Sequence, residues 1–194
     1  VNYRANIWAI KSLGTEEVFA TTAVGSINPE MKAGHFVVCD NVLDFTKSRI
    51  STFYDSPERG VAHCDFTYPY CPALREKVIK CLEKTDITFP KHGVYVCTEG
   101  PRFESAAEIK MYAMLGGDLV GMTNMPESIL AREAELCYTN CSIVTNMAAG
   151  ISPTPLSHSE VCEAMAQSID NMQKLILAFI AYDEPVEAKC GCYS

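Results

Sequence analysis

The sequence predicts an α/β fold: a single domain with a twisted, mixed but mostly parallel sheet flanked by helices. Three observations lead there. Short runs rich in β-branched residues alternate with segments of helical periodicity. At 194 residues and 48% hydrophobic, the chain has the length and apolar content of one compact domain. No repeat, low-complexity segment or long linker divides it. The domain is expected over residues 1–183, with a tail at 184–194.

Strands are expected at 17–22 "EVFATT", 35–43 "HFVVCDNVL", 93–98 "GVYVCT", 118–123 "DLVGMT" and 141–147 "CSIVTNM". Pro72 suits the first turn of a helix over 72–84, where Leu74, Val78 and Leu82 recur at i, i+4, i+8. A second helix, over 103–115, would place Ala106, Ile109 and Ala113 on one face and stop at Gly116–Gly117. A third begins at Pro126 and turns Ile129 and Leu130 inward. The last is the longest. Ser157 and Glu160 form a capping-box pattern ahead of a stripe of Val161, Met165, Met172, Leu175 and Phe179.

The formal net charge is −8, with no Lys/Arg run, which argues against nucleic acid or an anionic membrane as partner. No apolar stretch approaches the roughly 20 residues needed to span a bilayer. Charge also interrupts "VNYRANIWAIKSLG", unlike a leader's apolar segment, so a cytoplasmic location is expected. The ten cysteines form no paired CxxC knuckles, and no metal site is expected. Most read as small buried hydrophobes. Two readings of Cys190-x-Cys192 stay open: reduced thiols in a mobile end, or a disulfide.

In sheets of this class ligands bind beyond the carboxyl ends of the strands. Those ends read "TTAVGS", "CTEGPRFE", "GMTNMPE" and "TNMAAGIS", bringing hydroxyls, amides, a carboxylate and small residues toward one place. In "VCTEGPRFES" the residues Thr98, Glu99, Arg102 and Glu104 are expected to face outward beside Phe103. With Phe103, Met122 and Met147 lining a flat slot, a neutral aromatic ring would fit. A carboxylate at Glu104 accepts two hydrogens, and the amide of Asn146 both donates and accepts, which suits an oxopurine edge. Alternatively, Glu104 is a solvated carboxylate at a helix start, and Asn146 a turn residue. No Ser-His-Asp or Cys-His set assembles, so any chemistry would rest on placement and hydrogen bonding.

Blocks along nearly the whole chain, "VNYRANIWA", "TTAVGSINPE", "FYD…RGVAH", "EGPRFESAAE", "GMTNMPE…LAREAELCY" and "TNMAAGIS", resemble the nucleoside phosphorylase-I superfamily. The likeness is to its trimeric purine nucleoside and methylthioadenosine phosphorylases. The resemblance implies cleavage of an N-glycosidic bond by phosphate through an oxocarbenium-like transition state, giving free purine and a pentose 1-phosphate. Phosphate is then a co-substrate and no other cofactor is implied. It places Thr22, Ala23, Thr123 and Thr145 near phosphate and sugar, Phe103 and Glu104 at the base, and Met122 under the ribose. Asn146 would donate to N7 as the base leaves. His63 would reach a neighbouring subunit's sugar, implying a homotrimer or homohexamer, and His158 would approach the 5′ group.

Glu104 with Asn146 and Ala148 resembles the 6-oxopurine branch, whereas adenine-specific relatives carry a small hydroxyl residue after the Phe and an Asp pair. The Cys190-x-Cys192 tail instead resembles that of thermostable methylthioadenosine phosphorylases. The family's Gly-rich phosphate loop and Arg-His pair precede the block in which Val1 stands. The expectation is therefore a phosphorylase lacking that segment, with an exposed sheet edge and Arg102 as the single cation at the strand ends. The rivals are a purine-binding protein without turnover and a hydrolase using water.

Overall fold

The computed structural model describes residues 1–151 and 158–192. Ser157 and the side chains of His158 and Glu160 lie outside that description, so the expected capping box does too. In chain order the elements are α1 (Tyr3–Ser12), β1 (Glu17–Ser26), β2 (Phe36–Val38), β3 (Asn41–Phe45), α2 (Pro72–Leu82), β4 (Val94–Thr98), α3 (Ala106–Met114), β5 (Leu119–Gly121), α4 (Glu127–Glu133), β6 (Cys137–Met147) and α5 (His158–Ile180). Helix α1 was not expected. Its signal is present in the sequence: Asn2 caps it by accepting from the Ala5 amide at 3.1 Å, and Tyr3, Ile7 and Ile10 share the inward face.

The expected strand over 35–43 breaks at Cys39–Asp40, and its halves lie at opposite edges of one sheet, ordered β2-β6-β1-β5-β4-β3. From Val38 to Asn41 the chain can span at most about 11 Å, three steps of roughly 3.6 Å. The two edges are therefore drawn together and the sheet curls. Strands β1 and β6 run parallel, as do β3, β4 and β5, but the two blocks meet antiparallel where β5 pairs with β1. That seam consists of Gly25 opposite Val120 and Ser26 opposite Leu119. The expected mixed sheet is present, with strand ends that meet across a seam instead of sharing one rim. The outer side of β2 is covered, since Phe36 and Val38 donate to the carbonyls of Thr88 and Pro90, both at 3.1 Å.

Strand β6 is buried on both faces from Cys137 to Thr145, so it reads as a continuous apolar and hydroxyl run. On one face α1 and α4 bury Ile7 and Leu130 with Tyr95, Leu119 and Val144. On the other, α2 and α5 bury Leu74, Val78 and Leu82 with Met172, Leu175 and Phe179, the stripes expected from their spacing. Helix α3 departs from expectation. It begins at Ala106, because the Ser105 side chain accepts from the Glu108 amide and the Glu108 carboxylate from the Ser105 amide, and it buries Ile109 and Tyr112 while Ala106 and Ala113 are exposed. No helix among the described residues is long and apolar enough to cross a membrane.

Instead of hanging free, the tail is docked from Glu187 to Cys192. The Glu76 carboxylate on α2 accepts from the amides of Glu187 (2.9 Å) and Ala188 (2.6 Å). Arg132 donates to the Gly191 carbonyl at 3.0 Å, and Cys192 is 3% exposed. The tail amides, followed by Lys80, hold the Glu76 carboxyl down to about 2. A depressed carboxyl favours the folded form above the unfolded pKa, and that contribution disappears as pH falls through the folded value. We therefore expect amide exchange at Glu187 and Ala188 in the Glu76→Ala variant to speed up about 10-fold or more at neutral pH. In the parent protein the protection of the same amides should decline progressively as pH falls below about 4.5, the ordinary carboxyl value, and be lost near 2.

Candidate active site

Where β1 and β5 diverge beyond their two-residue seam, a cavity of about 140 Å³ opens. Ala23, Phe103, Glu104, Met122, Thr123, Thr145 and Asn146 line it, so four chain segments distant in sequence meet there. Helix α5 adds Val161. A larger cavity, about 500 Å³, lies beside α1, but its arginines are already engaged: Arg4 with the Asp55 carboxylate and Arg59 with the Phe53 carbonyl. The smaller cavity is the better site because polar groups converge in an apolar slot.

A β-bulge aims the central amide. The register of β1 against β6 passes from Val24 opposite Val144 to Gly25 opposite Asn146, which leaves Thr145 as the extra residue. The Thr145 hydroxyl lies 3.1 Å from the Val24 carbonyl and 2.8 Å from Asn146 Oδ1. Asn146 Nδ2 donates to the Met147 carbonyl at 3.0 Å, and its second hydrogen has no acceptor among the described residues. A Cβ on Gly25 would stand 3.2 Å from that nitrogen, so glycine permits the close approach.

The carboxylate is held just as firmly. Thr98, expected to face outward, is 6% exposed, and its hydroxyl donates to Glu104 Oε1 at 2.7 Å. Among the described residues, Glu104 Oε2 has no hydrogen-bond partner. Glu99 stays partly exposed and accepts from the Lys47 amide at 2.6 Å and the Ser48 amide at 3.3 Å. Met122 rests on Gly100, whose φ is +68° and where a Cβ would lie 2.6 Å from Met122 Sδ. Thr123 is exposed, and its amide donates to the Tyr95 hydroxyl at 3.4 Å.

Other expected site residues stand elsewhere. Thr22 does not line the cavity: its hydroxyl is 2.8 Å from Ser142 Oγ in a buried network with Asn140, because neighbouring residues of β1 alternate faces. Arg102 is exposed and bidentate to Glu108 (2.9 and 2.7 Å), and no cation lines the cavity among the described residues. His63 is exposed on the loop before α2 and does not line it. Met147, at the end of β6, is absent from the lining as well.

No spacing rule brings Cys71, Cys137, Cys190 and Cys192 together, yet their sulfurs all lie within 4.8 Å of one another. Cys71 caps α2, Cys137 opens β6, and the tail supplies the other two. The Cys137 and Cys190 sulfurs are 3.2 Å apart. No metal site was expected, yet four cysteine sulfurs this close form a set that could hold a metal ion. Hydrogen bonds from Cys137 and then Cys192 hold the Cys71 thiol well below the usual thiol range.

Two substitutions test this geometry. Gly100→Ala adds strain at positive φ and displaces Met122, and Thr98→Val releases Glu104. Each is expected to weaken purine binding by about 10-fold in calorimetry, the worth of one lost hydrogen bond or one misplaced wall.

The whole of this framework has counterparts. Residues 1–181 match the family model described as the phosphorylase superfamily. The chain is 55% identical over 197 residues to the 6-oxopurine nucleoside phosphorylase of Pyrococcus furiosus, covering 99% of this chain and 74% of that protein. It is 49% identical to the probable S-methyl-5′-thioinosine phosphorylase of Methanothermobacter thermautotrophicus, covering 99% of this chain and 65% of that one. Methylthioadenosine phosphorylase from Schistosoma mansoni, solved with adenine, superposes with a TM-score of 0.89 at 31% identity over 93% of this chain and 70% of that one. The family match over residues 1–181 and the likeness of fold agree, and the chain belongs to the phosphorylase superfamily.

Proposed function

We propose that the protein is a purine nucleoside phosphorylase that prefers 6-oxopurine nucleosides such as inosine and guanosine. The observation that carries this reading is the pairing of the Thr98-anchored Glu104 with the bulge-aimed Asn146 in one slot walled by Phe103 and Met122. An oxopurine presents ring N–H and amino donors to the carboxylate and O6 and N7 acceptors to the amide. A base lacking the matching groups would leave these side chains unpaired, which disfavours it. The name of the Pyrococcus relative points the same way.

In the proposed reaction a phosphate oxygen forms a bond to C1′ while the bond from C1′ to N9 breaks. The electron pair passes into the purine, and Asn146 Nδ2–H donates to N7 as charge builds there. No protein nucleophile is required, and phosphate is the co-substrate with no further cofactor. The Ala23 amide and the hydroxyls of Thr123 and Thr145 would face the phosphate, and Met122 would underlie the ribose. A homotrimer would bring His63 to a neighbour's sugar, a role its exposure allows.

The absence of a cation among the described lining residues favours a second reading, a purine-binding protein without turnover. Hypoxanthine release from inosine, with and without phosphate, separates the two. Release that requires phosphate supports the phosphorylase, release without it identifies a hydrolase, and binding without release identifies the second reading. Glu104→Gln is expected to lower kcat/KM for inosine by about 10- to 100-fold, the cost of losing a charged hydrogen-bond acceptor. Unchanged kinetics in that variant would remove Glu104 from base recognition.

A further inference from the structure

Arg49 lies outside every segment singled out in the sequence, and it does not line the cavity. Its side chain is nevertheless only 10% exposed. One guanidinium group joins three parts of the chain. Nη2 donates to the carbonyls of Thr98 and Glu99, each at 3.1 Å, where β4 ends and the loop to Phe103 and Glu104 begins. Nη1 donates to the Met125 carbonyl, on the loop that follows β5 and carries Met122 and Thr123. The planar group also lies 5.5 Å from the ring centre of Tyr3 on α1.

The attachment is reciprocal. Glu99, 3.8 Å from Arg49 Nε, accepts the amides of Lys47 and Ser48 just before Arg49, so each of the two loops holds the other. The sequence around Arg49 forms no helix or strand, and these bonds replace regular pairing there. Carbonyls at strand ends are otherwise left without ladder partners and need donors. Here a single charged fork serves two ends at once, and its rigid geometry fixes their separation.

We propose that Arg49 is a positioning residue that sets the distance between the base-holding loop and the sugar-holding loop. The inference rests on the purine nucleoside reading above. A nucleoside must touch both loops, while a free base touches chiefly one, so the clasp matters to the first and little to the second. A residue that merely stabilised the fold would affect both ligands alike. Lysine can keep the charge and meet one carbonyl, but it lacks the planar fork that spans both loops.

Calorimetry on wild type, Arg49→Lys and Arg49→Met tests this, with inosine in the absence of phosphate and with hypoxanthine alone, beside a thermal melt. For Arg49→Lys the expected result is inosine affinity lowered about 10-fold with hypoxanthine affinity changed less than about 3-fold, and a larger loss in Arg49→Met. With phosphate present, kcat should fall more than KM for phosphate rises. Equal losses for the two ligands, or no loss in a folded Arg49→Met protein, would overturn the proposal. If Arg49→Met does not fold, the affinity ratio in Arg49→Lys decides. Wild type that binds both ligands but releases no base would sink the phosphorylase reading alone, and the ratio would still decide the role of Arg49.

Discussion

Two residues, Cys39 and Asp40, connect β2 at one edge of the sheet to β3 at the other, and the rest of the fold is arranged around that short tie. The corner is pinned from several sides. Cys39 donates its amide to the Asn140 carbonyl at 3.1 Å, and its own carbonyl accepts from Arg75 Nε at 2.7 Å. The Asp40 carboxylate accepts the Gly93 amide at 2.9 Å. A flat six-stranded sheet could not satisfy this connection, since its edges would stand about five strand spacings, or roughly 24 Å, apart. Curling brings the edges together, and at the middle of the strand order, away from that corner, strands of opposite direction meet at Gly25–Ser26 and Leu119–Val120. The cavity opens at that meeting place.

The site built there combines an amide, a carboxylate and an apolar wall. Its amide is aimed by a bulge, its carboxylate by a buried threonine, and its apolar wall by a glycine with positive φ. Each device fixes a side chain through backbone geometry, so little rearrangement is needed when a flat ligand enters. Such preorganisation suits a reaction in which the attacking group comes with the second substrate.

Much of the fold was legible because periodicity is a local property. The stripes on α2 and α5 and the existence of β1, β4, β5 and β6 follow from residues a few positions apart. The convergence of Ala23, Glu104, Met122 and Asn146 was legible from the repeated polar endings of strands. What the sequence hid depends on contacts between distant segments. The break at Cys39–Asp40 interrupts a run that reads as one strand, and only the pairing of its halves with β6 and β4 reveals it. Thr22 resembles a phosphate contact, yet strand alternation turns its hydroxyl toward Ser142. The inward face of α3 shifted because Ser105 set where the helix starts. The docked tail and its four neighbouring sulfurs join positions more than fifty residues apart, which no spacing rule reports.

The seam between β1 and β5 has a mechanical meaning as well. A sheet resists separation in proportion to the ladder bonds that must break, and β1 pairs with β6 along ten residues but with β5 along two. The curled sheet is therefore tied tightly at the Cys39–Asp40 corner and weakly on the side where the ligand would lie. Thermal breathing is cheapest along that line. A rigid ring could enter by a slight parting of two well-built halves, with neither half having to unfold.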